Sequence, residues 1–548
     1  MMFFNFSQFF ASQGPNALYE EFLKTEGVTL EQLLDHEDTV TEVKKANASL
    51  VALLQPQIPR LVEYISKEPS VDAGEKEGRR YPFVASEILC SDAMLGELGK
   101  DSAVLPLVFQ YLQGEAPLNL TLVGYSASLS LRILERQSFK VFEFLFSPDS
   151  QYPSLLLKHI ENRAVAELIV SILSINTYLQ ARTKLLFSVM LAYEQGMKRE
   201  RAVNVSFVVQ ETIRRSADVG EWKGLMCTFF FQEVVEKLAL AVTWPEVSDL
   251  AATVLTAFLS HSAFRDVVAF FTEVCEASFN SSATLLPIAK AALAALTASN
   301  SAQQQANSYG EAVPLGQNRL ALIQLLNVCV RVMGTELDEA LVQWEYVSVC
   351  TRLFQHFPWH SGLHQAYESL VRVIVDEGSQ TLKSELMEKV DLVSVLSEAG
   401  QQASPGEKHR KGYLGYITRI ANTLLSASAS FPYFRQHLDS DMWTAFASSY
   451  LLPQNRIETS KYFETSRKES EISSDVQPIE DTLSAAEREE VDNEEGFEFQ
   501  VTQSTLPAGM DRRNASGATA PEREETDVYN DFNYWKMPVG EKELEELE

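Results

Sequence analysis

Apolar residues recur at the spacing of a helical face almost without interruption up to about residue 450, and this periodicity limits the fold more than any other feature. Val165, Leu168, Ile169, Ile172 and Leu173 fall at i, i+3, i+4, i+7 and i+8, so one stripe of the helix is hydrophobic and must be covered. Leu322, Leu325, Leu326, Cys329, Val330 and Met333 repeat the pattern. Strict apolar/polar alternation, the mark of a half-buried strand, is hard to find. Proline breaks the pattern at intervals, at Gln55-Pro56, Ser147-Pro148, Trp244-Pro245, Val313-Pro314, Phe357-Pro358, Ser404-Pro405-Gly406 and Phe431-Pro432. It lacks the backbone N–H and clashes with the preceding turn, so it cannot continue a helix interior. The expected product is an all-α chain of many helices, each of about 10 to 20 residues, stacked as an α-solenoid of HEAT or armadillo type. No sequence repeat of fixed period stands out. Helix density alone therefore leaves a globular all-α domain as the competing architecture.

At 548 residues and 45% hydrophobic content, the chain can bury a large core or build one long array. Lys and Arg number 46 against 75 Asp and Glu, a formal charge of -29. That excess repels phosphate backbones and anionic lipid, which argues against nucleic acid and membrane surfaces as partners. Cys90, Cys227, Cys275, Cys329 and Cys350 are far apart, form no Cys-x-x-Cys pair and sit in or beside apolar segments. Buried thiols in a reducing compartment are the expectation. The first eleven residues are rich in phenylalanine but do not read as a signal peptide, and no window approaches about 18 uncharged apolar residues. A cytoplasmic protein is expected, with entry to the nucleus left open.

Two regions are expected: a helical array over residues 1–455 and an acidic tail over 456–548. Within the array, residues 70–80, 298–318 and 401–412 read as mobile interruptions, the second a long polar loop carrying Gln303-Gln304-Gln305. Residues 461–548 hold 24 acidic and 9 basic side chains. A segment so charged and so poor in apolar residues cannot offset its ordering entropy, so disorder is expected. Inside it, residues 527–535 cluster Tyr529, Phe532, Tyr534 and Trp535 among acids, as a short docking motif would. Ser466, Ser470, Ser473, Ser474 and Ser484 lie among or just before acids, a weak sign of acidophilic kinase sites.

Several blocks carry more specific wording. Arg410-Lys411-Gly412-Tyr413-Leu414-Gly415-Tyr416-Ile417-Thr418-Arg419-Ile420-Ala421-Asn422 joins a charged approach to an apolar helix. Earlier come Leu30-Glu31-Gln32-Leu33-Leu34-Asp35-His36-Glu37-Asp38, then Tyr81-Pro82-Phe83-Val84-Ala85-Ser86-Glu87-Ile88-Leu89, then Phe357-Pro358-Trp359 with His364. In this wording and order the chain resembles the SAPS-domain proteins, over roughly residues 20–450. These are regulatory subunits of protein phosphatase 6, a type-2A-like serine/threonine phosphatase. No motif of that family matches between about residues 297 and 318.

The chemistry-bearing patterns fail on inspection. Metal-dependent serine/threonine phosphatases need Gly-Asp-x-His-Gly, Gly-Asp-x-x-Asp-Arg-Gly and Gly-Asn-His-Glu blocks to hold two ions around a bridging hydroxide. No Gly-Asp pair occurs anywhere in the chain. His356, His360 and His364 stand four apart, but Pro358 interrupts the helix that would align them, and no metal site is expected. Gly124-Tyr125-Ser126-Ala127-Ser128 lacks the closing glycine of a nucleophile elbow, and Gly99-Lys100-Asp101 lacks the Ser/Thr of a phosphate loop. No catalytic residue and no cofactor is expected.

Tyr81, Pro82, Phe357, Pro358, Trp359, Arg410, Lys411, Tyr413 and Tyr416 are the candidate partner-binding residues, because aromatics with arginine dominate protein–protein hot spots. Interlayer packing is the competing role for Tyr81, Pro82, Phe357, Pro358 and Trp359. The resemblance implies a non-catalytic regulatory and scaffold subunit. It would bind a protein phosphatase 6-like catalytic subunit and direct it to substrates by proximity, with a third adaptor subunit left open. Periodicity implies only the binding architecture, so a general solenoid adaptor in trafficking or transport is the alternative.

Overall fold

The computed structural model describes residues 17–459, apart from 71–73, 101, 216–221, 276–280, 298–304, 308–309, 313, 334 and 402–410. The expected tail over 456–548, with Tyr529, Phe532, Tyr534, Trp535 and its serines, and the first sixteen residues lie outside that set from residue 460 onward and before residue 17. The last described helix, Leu452–Thr459, runs past the expected boundary at residue 455.

The described residues form an all-α solenoid. We label the seven helices of its first row α1 to α7: Leu120–Arg136, Arg163–Leu173, Arg199–Arg215, Ser248–Leu259, Gln317–Met333, Ser361–Glu377 and Leu414–Ser430. Each packs on the next in chain order. Behind them a second row runs through Leu179–Leu191, Gln232–Thr243, Ser281–Thr297, Thr335–Gln343 and Gln380–Ser384, again neighbour to neighbour. Helices Ile58–Ser66 and Tyr81–Leu89 extend the stack on the N-terminal side of α1.

Both stripes read from the sequence face inward. Val165, Leu168, Ile169, Ile172 and Leu173 of α2 are buried, as are Leu322, Leu325, Leu326, Cys329, Val330 and Met333 of α5. Cys227, Cys329 and Cys350 are buried free thiols and Cys90 is half-buried. Burial pushes the Cys329 and Cys350 thiols up to about 12, which leaves them protonated and unreactive. Proline acts at starts as well as ends: Pro82, Pro153 and Pro432 occupy first helical turns, where the missing N–H costs nothing. Pro287 is an exception, inside Ser281–Thr297. Asn119 and Asn162 cap α1 and α2 by accepting backbone N–H bonds. The buried Arg182 guanidinium covers the C-terminal carbonyl of Leu173 at 3.1 Å.

Polar links between successive repeats reveal the period that the sequence hides. Asn327 reaches Ala366, Gln110 reaches Ser66, Lys389 reaches Glu345, Arg199 reaches Asp249 and Arg419 reaches Glu368, at sequence separations from 39 to 51 residues. Those intervals bracket the repeat length of HEAT and armadillo units, about 40–47 residues. One link is longer: Asn318 donates to the Pro245 carbonyl across 73 residues. That interval contains the stretch expected to be a polar loop. Instead of loop throughout, it holds a short antiparallel hairpin, β1 (Gln305–Asn307) with β2 (Gly310–Ala312), in register Gln305 to Ala312.

Two buried polar groups give measurable tests. Asn327 donates to the Ala366 carbonyl at 2.7 Å and accepts from the Tyr346 hydroxyl at 2.8 Å, tying α5 to α6 and to the helix Tyr346–His356. Asn327→Leu removes both bonds, leaving the Tyr346 hydroxyl its 3.2 Å bond to the Ile323 carbonyl, and should lower stability by about 1 to 2 kcal/mol in urea unfolding. Glu385 is also buried, and no hydrogen bond of ordinary geometry reaches its carboxylate oxygens, although Ser348 lies close enough to interact with them. Burial raises it to about 7, only partly offset by Lys389 and Ser348. Because the unfolded carboxyl ionises first, stability should fall as pH rises from about 4.5 and level off above about 7. Glu385→Gln should therefore gain on the parent chain at pH 8 and not at pH 5.

Candidate partner-docking site

The turn between Tyr346–His356 and α6 meets the start of α7. Phe357 leaves helical geometry and Pro358 forbids continuation, so the chain turns and restarts at Ser361. His360 makes the restart favourable: its Nδ1 accepts the Leu363 N–H at 3.1 Å. Across the gap, the Gly412 N–H donates to the Pro358 carbonyl at 3.0 Å. A Cβ on Gly412 would lie 3.2 Å from that oxygen and 3.6 Å from the Trp359 ring, so any larger residue would push the turn back by a few tenths of an ångström.

Behind this contact lies an aromatic knot. Tyr413 is buried and stacks on Phe354 at 5.1 Å, with the His364 ring edge-on at 5.7 Å. Tyr416 meets His364 at 5.6 Å from the other side. His364 is fully buried; its Nε2–H donates to the Phe357 carbonyl at 2.8 Å, and its Nδ1 has no partner among the described residues. Burial lowers its pKa, so the ring is held neutral. The three histidines thus have three separate roles: His356 meets Phe357 edge-on, His360 caps α6, and His364 supports the turn.

Most of the expected partner-binding residues assemble here. Trp359 is 39% exposed, Phe357, Pro358, Lys411 and Tyr416 are half-buried, and Lys411 lies over the Tyr413 ring at 5.8 Å. Tyr413 itself is core. Arg410 lies outside the described residues. Tyr81 and Pro82 do not join the group: both are buried near the N-terminal end of the array. Tyr81 packs edge-on against Tyr64 at 5.5 Å and turns its hydroxyl toward Asp35. Their burial fits the interlayer packing role weighed for them in the sequence.

Sequence reasoning missed a second layer of the site. Glu368 of α6 is 4% exposed and holds two arginines, Arg372 on its own helix at 3.1 Å and Arg419 of α7 at 3.3 Å. The guanidinium of Arg419 also lies 5.6 Å from the Tyr416 ring. Glu368 and Arg372 are visible in sequence as an i, i+4 pair, but the partner 51 residues away is not.

The described residues thus form a helical-repeat array with a junction of partly exposed aromatic and basic side chains. Comparisons with known proteins give its kinship. Residues 330–460, which contain the whole junction, match the SAPS family, described as SIT4 phosphatase-associated protein. Serine/threonine-protein phosphatase 6 regulatory subunit 3 of Gallus gallus is 24% identical over 472 residues, 75% of this chain and 53% of the relative. Regulatory subunit 1 of Homo sapiens is 25% identical over 511 residues, 80% of this chain and 57% of the relative. A shorter match, 33% over 159 residues, links 28% of this chain to 16% of Homo sapiens regulatory subunit 2. The SAPS match covers residues 330–460, and the chain spans little more than half the length of the first of these relatives.

Because His364 is held neutral inside the junction, acidification must protonate it at a cost. Its folded pKa lies below that of a free imidazole near 6.5, so the stability it contributes is present above about 6.5 and lost as pH falls through the lower value. An imidazole titration by NMR should place His364 below the free-histidine midpoint; a midpoint at or above it would contradict the buried geometry.

Proposed function

We propose that the chain is a regulatory and scaffold subunit of a protein phosphatase 6-like holoenzyme, without phosphatase chemistry of its own. The helical array over residues 1–455 holds the catalytic subunit. The acidic tail over 456–548, with Tyr529, Phe532, Tyr534 and Trp535, recruits substrates or a third adaptor. The observation that carries this reading is the coincidence of the family match at residues 330–460 with the junction of Phe357, Pro358 and Trp359 with Lys411 and Tyr416. The names of the relatives support a phosphatase partner over a trafficking or transport adaptor. Specificity then comes from raising the local concentration of substrate beside an active site on another chain. A cytoplasmic site of action, with access to the nucleus, fits this role.

The test is affinity purification of the full chain with mass spectrometry. A type-2A-like catalytic subunit should copurify with the parent chain, and Trp359→Ala should reduce its recovery severalfold, since a partly exposed indole at an interface centre is worth about 2 kcal/mol or more. Unchanged helical circular dichroism would show that the array is intact. Recovery of coat or transport factors without a phosphatase would sink the reading.

A further inference from the structure

The charge of this protein is not evenly spread over the first row. Helix α5 carries Arg319 and Arg331 and no acidic residue; α7 carries Arg419 and none. Between them α6 carries Glu368, Asp376 and Glu377 with Arg372. Glu368 is buried beneath Arg372 and Arg419, so a single carboxylate serves two guanidinium groups from adjacent helices. Both arginines remain about half exposed, and each engages Glu368 through only its Nη2. No hydrogen bond from the other guanidinium nitrogens of either arginine is seen among the described residues. Arg331 is exposed on the neighbouring helix with no partner among the described residues. Lys411 lies in the turn just before α7, and Gly415 in the first turn of that helix has nothing within 4 Å of where a Cβ would stand. Asp376, at the C-terminal end of α6, is the opposing exposed charge nearest Arg372.

We infer that the face shared by α5, α6 and α7 binds an acidic polypeptide segment through Arg331, Arg372 and Arg419. The physical argument is preorganisation. Arginine normally loses side-chain freedom when it grips a carboxylate, but here a buried anion already orients two forks from adjacent helices. The pair carries one charge more than Glu368 neutralises, and Arg331 adds another. In a chain of net charge -29, such a face attracts anionic segments that the rest of the surface repels. The bare path at Gly415 admits an extended backbone close to α7. This surface is separate in role from the Trp359 junction and does not depend on a phosphatase being bound.

The test uses the full chain and a fluorescein-labelled Glu/Ala peptide, with a Gln/Ala peptide as the neutral control, followed by anisotropy. The acidic peptide should bind, weaken with salt, and lose about tenfold in affinity to the double variant Arg372→Glu, Arg419→Glu. Arg331 is exposed and makes no hydrogen bond or ion pair among the described residues, so Arg331→Glu should leave the helical circular dichroism unchanged and cost about threefold in affinity. The control double variant Arg265→Glu, Lys290→Glu makes the same net charge change on exposed positions elsewhere, and should leave binding nearly unchanged. Equal losses from the control pair would overturn the inference, because only net charge would be acting. Equal binding of the neutral peptide, or tighter binding of a single-stranded RNA oligonucleotide, would overturn it as well. Failure here with the phosphatase still copurifying would leave the scaffold role standing, whereas loss of the phosphatase alone would not touch this surface.

Discussion

Lateral packing of each helix row on the next is the constraint from which the rest of the structure follows. No row can bury its apolar stripe alone, so every layer depends on the layers either side of it. The hydrophobic effect supplies the adhesion but is indifferent to register. Register comes from a small set of polar links buried or half-buried between rows: Asn204 to the Glu161 carbonyl, Asn327 to the Ala366 carbonyl, and the paired bonds of Arg199 to Asp249. Each fixes one helix against one neighbour. A buried donor that slid past its acceptor would be left unsatisfied, which is costly enough to select one alignment.

The Trp359 junction and the arginine face are two uses of the same geometry. Both sit where α6 meets α7, one at the entry of the helices and the other along their exposed sides. At the entry, Gly412 lies close beneath the Pro358 carbonyl, and aromatic rings pack behind it. Along the sides, a buried carboxylate sets the directions of two long cations. Rigid framing of exposed groups is what allows a surface without catalytic residues to discriminate among partners.

Helix content and the buried stripes of α2 and α5 were legible in the sequence, because a 3.6-residue period is local and survives any tertiary context. The repeat was not legible. Its interval drifts between 39 and 51 residues and once reaches 73, so no fixed offset aligns equivalent helices. The hairpin at β1 and β2 escaped for a different reason, since two strands of three residues in a polar stretch leave no alternation to detect. At the site, Phe357, Trp359, Lys411 and Tyr416 were found through family wording. Tyr81 and Pro82 carry equally distinctive wording yet serve packing, because sequence does not say which side of a helix faces solvent. Glu368 was overlooked because its meaning lies in a contact between distant repeats.

The drifting interval has its own consequence for how such a chain can change. Since each row answers only to its immediate neighbours, a lengthened connection disturbs two interfaces and no others. The 73-residue span before α5 is an instance: α4 and α5 still lie side by side although extra chain passes between them. Ornament can thus accumulate at the margins of a layer while the spine remains continuous, and relatives can diverge in outline far more than in their stacking.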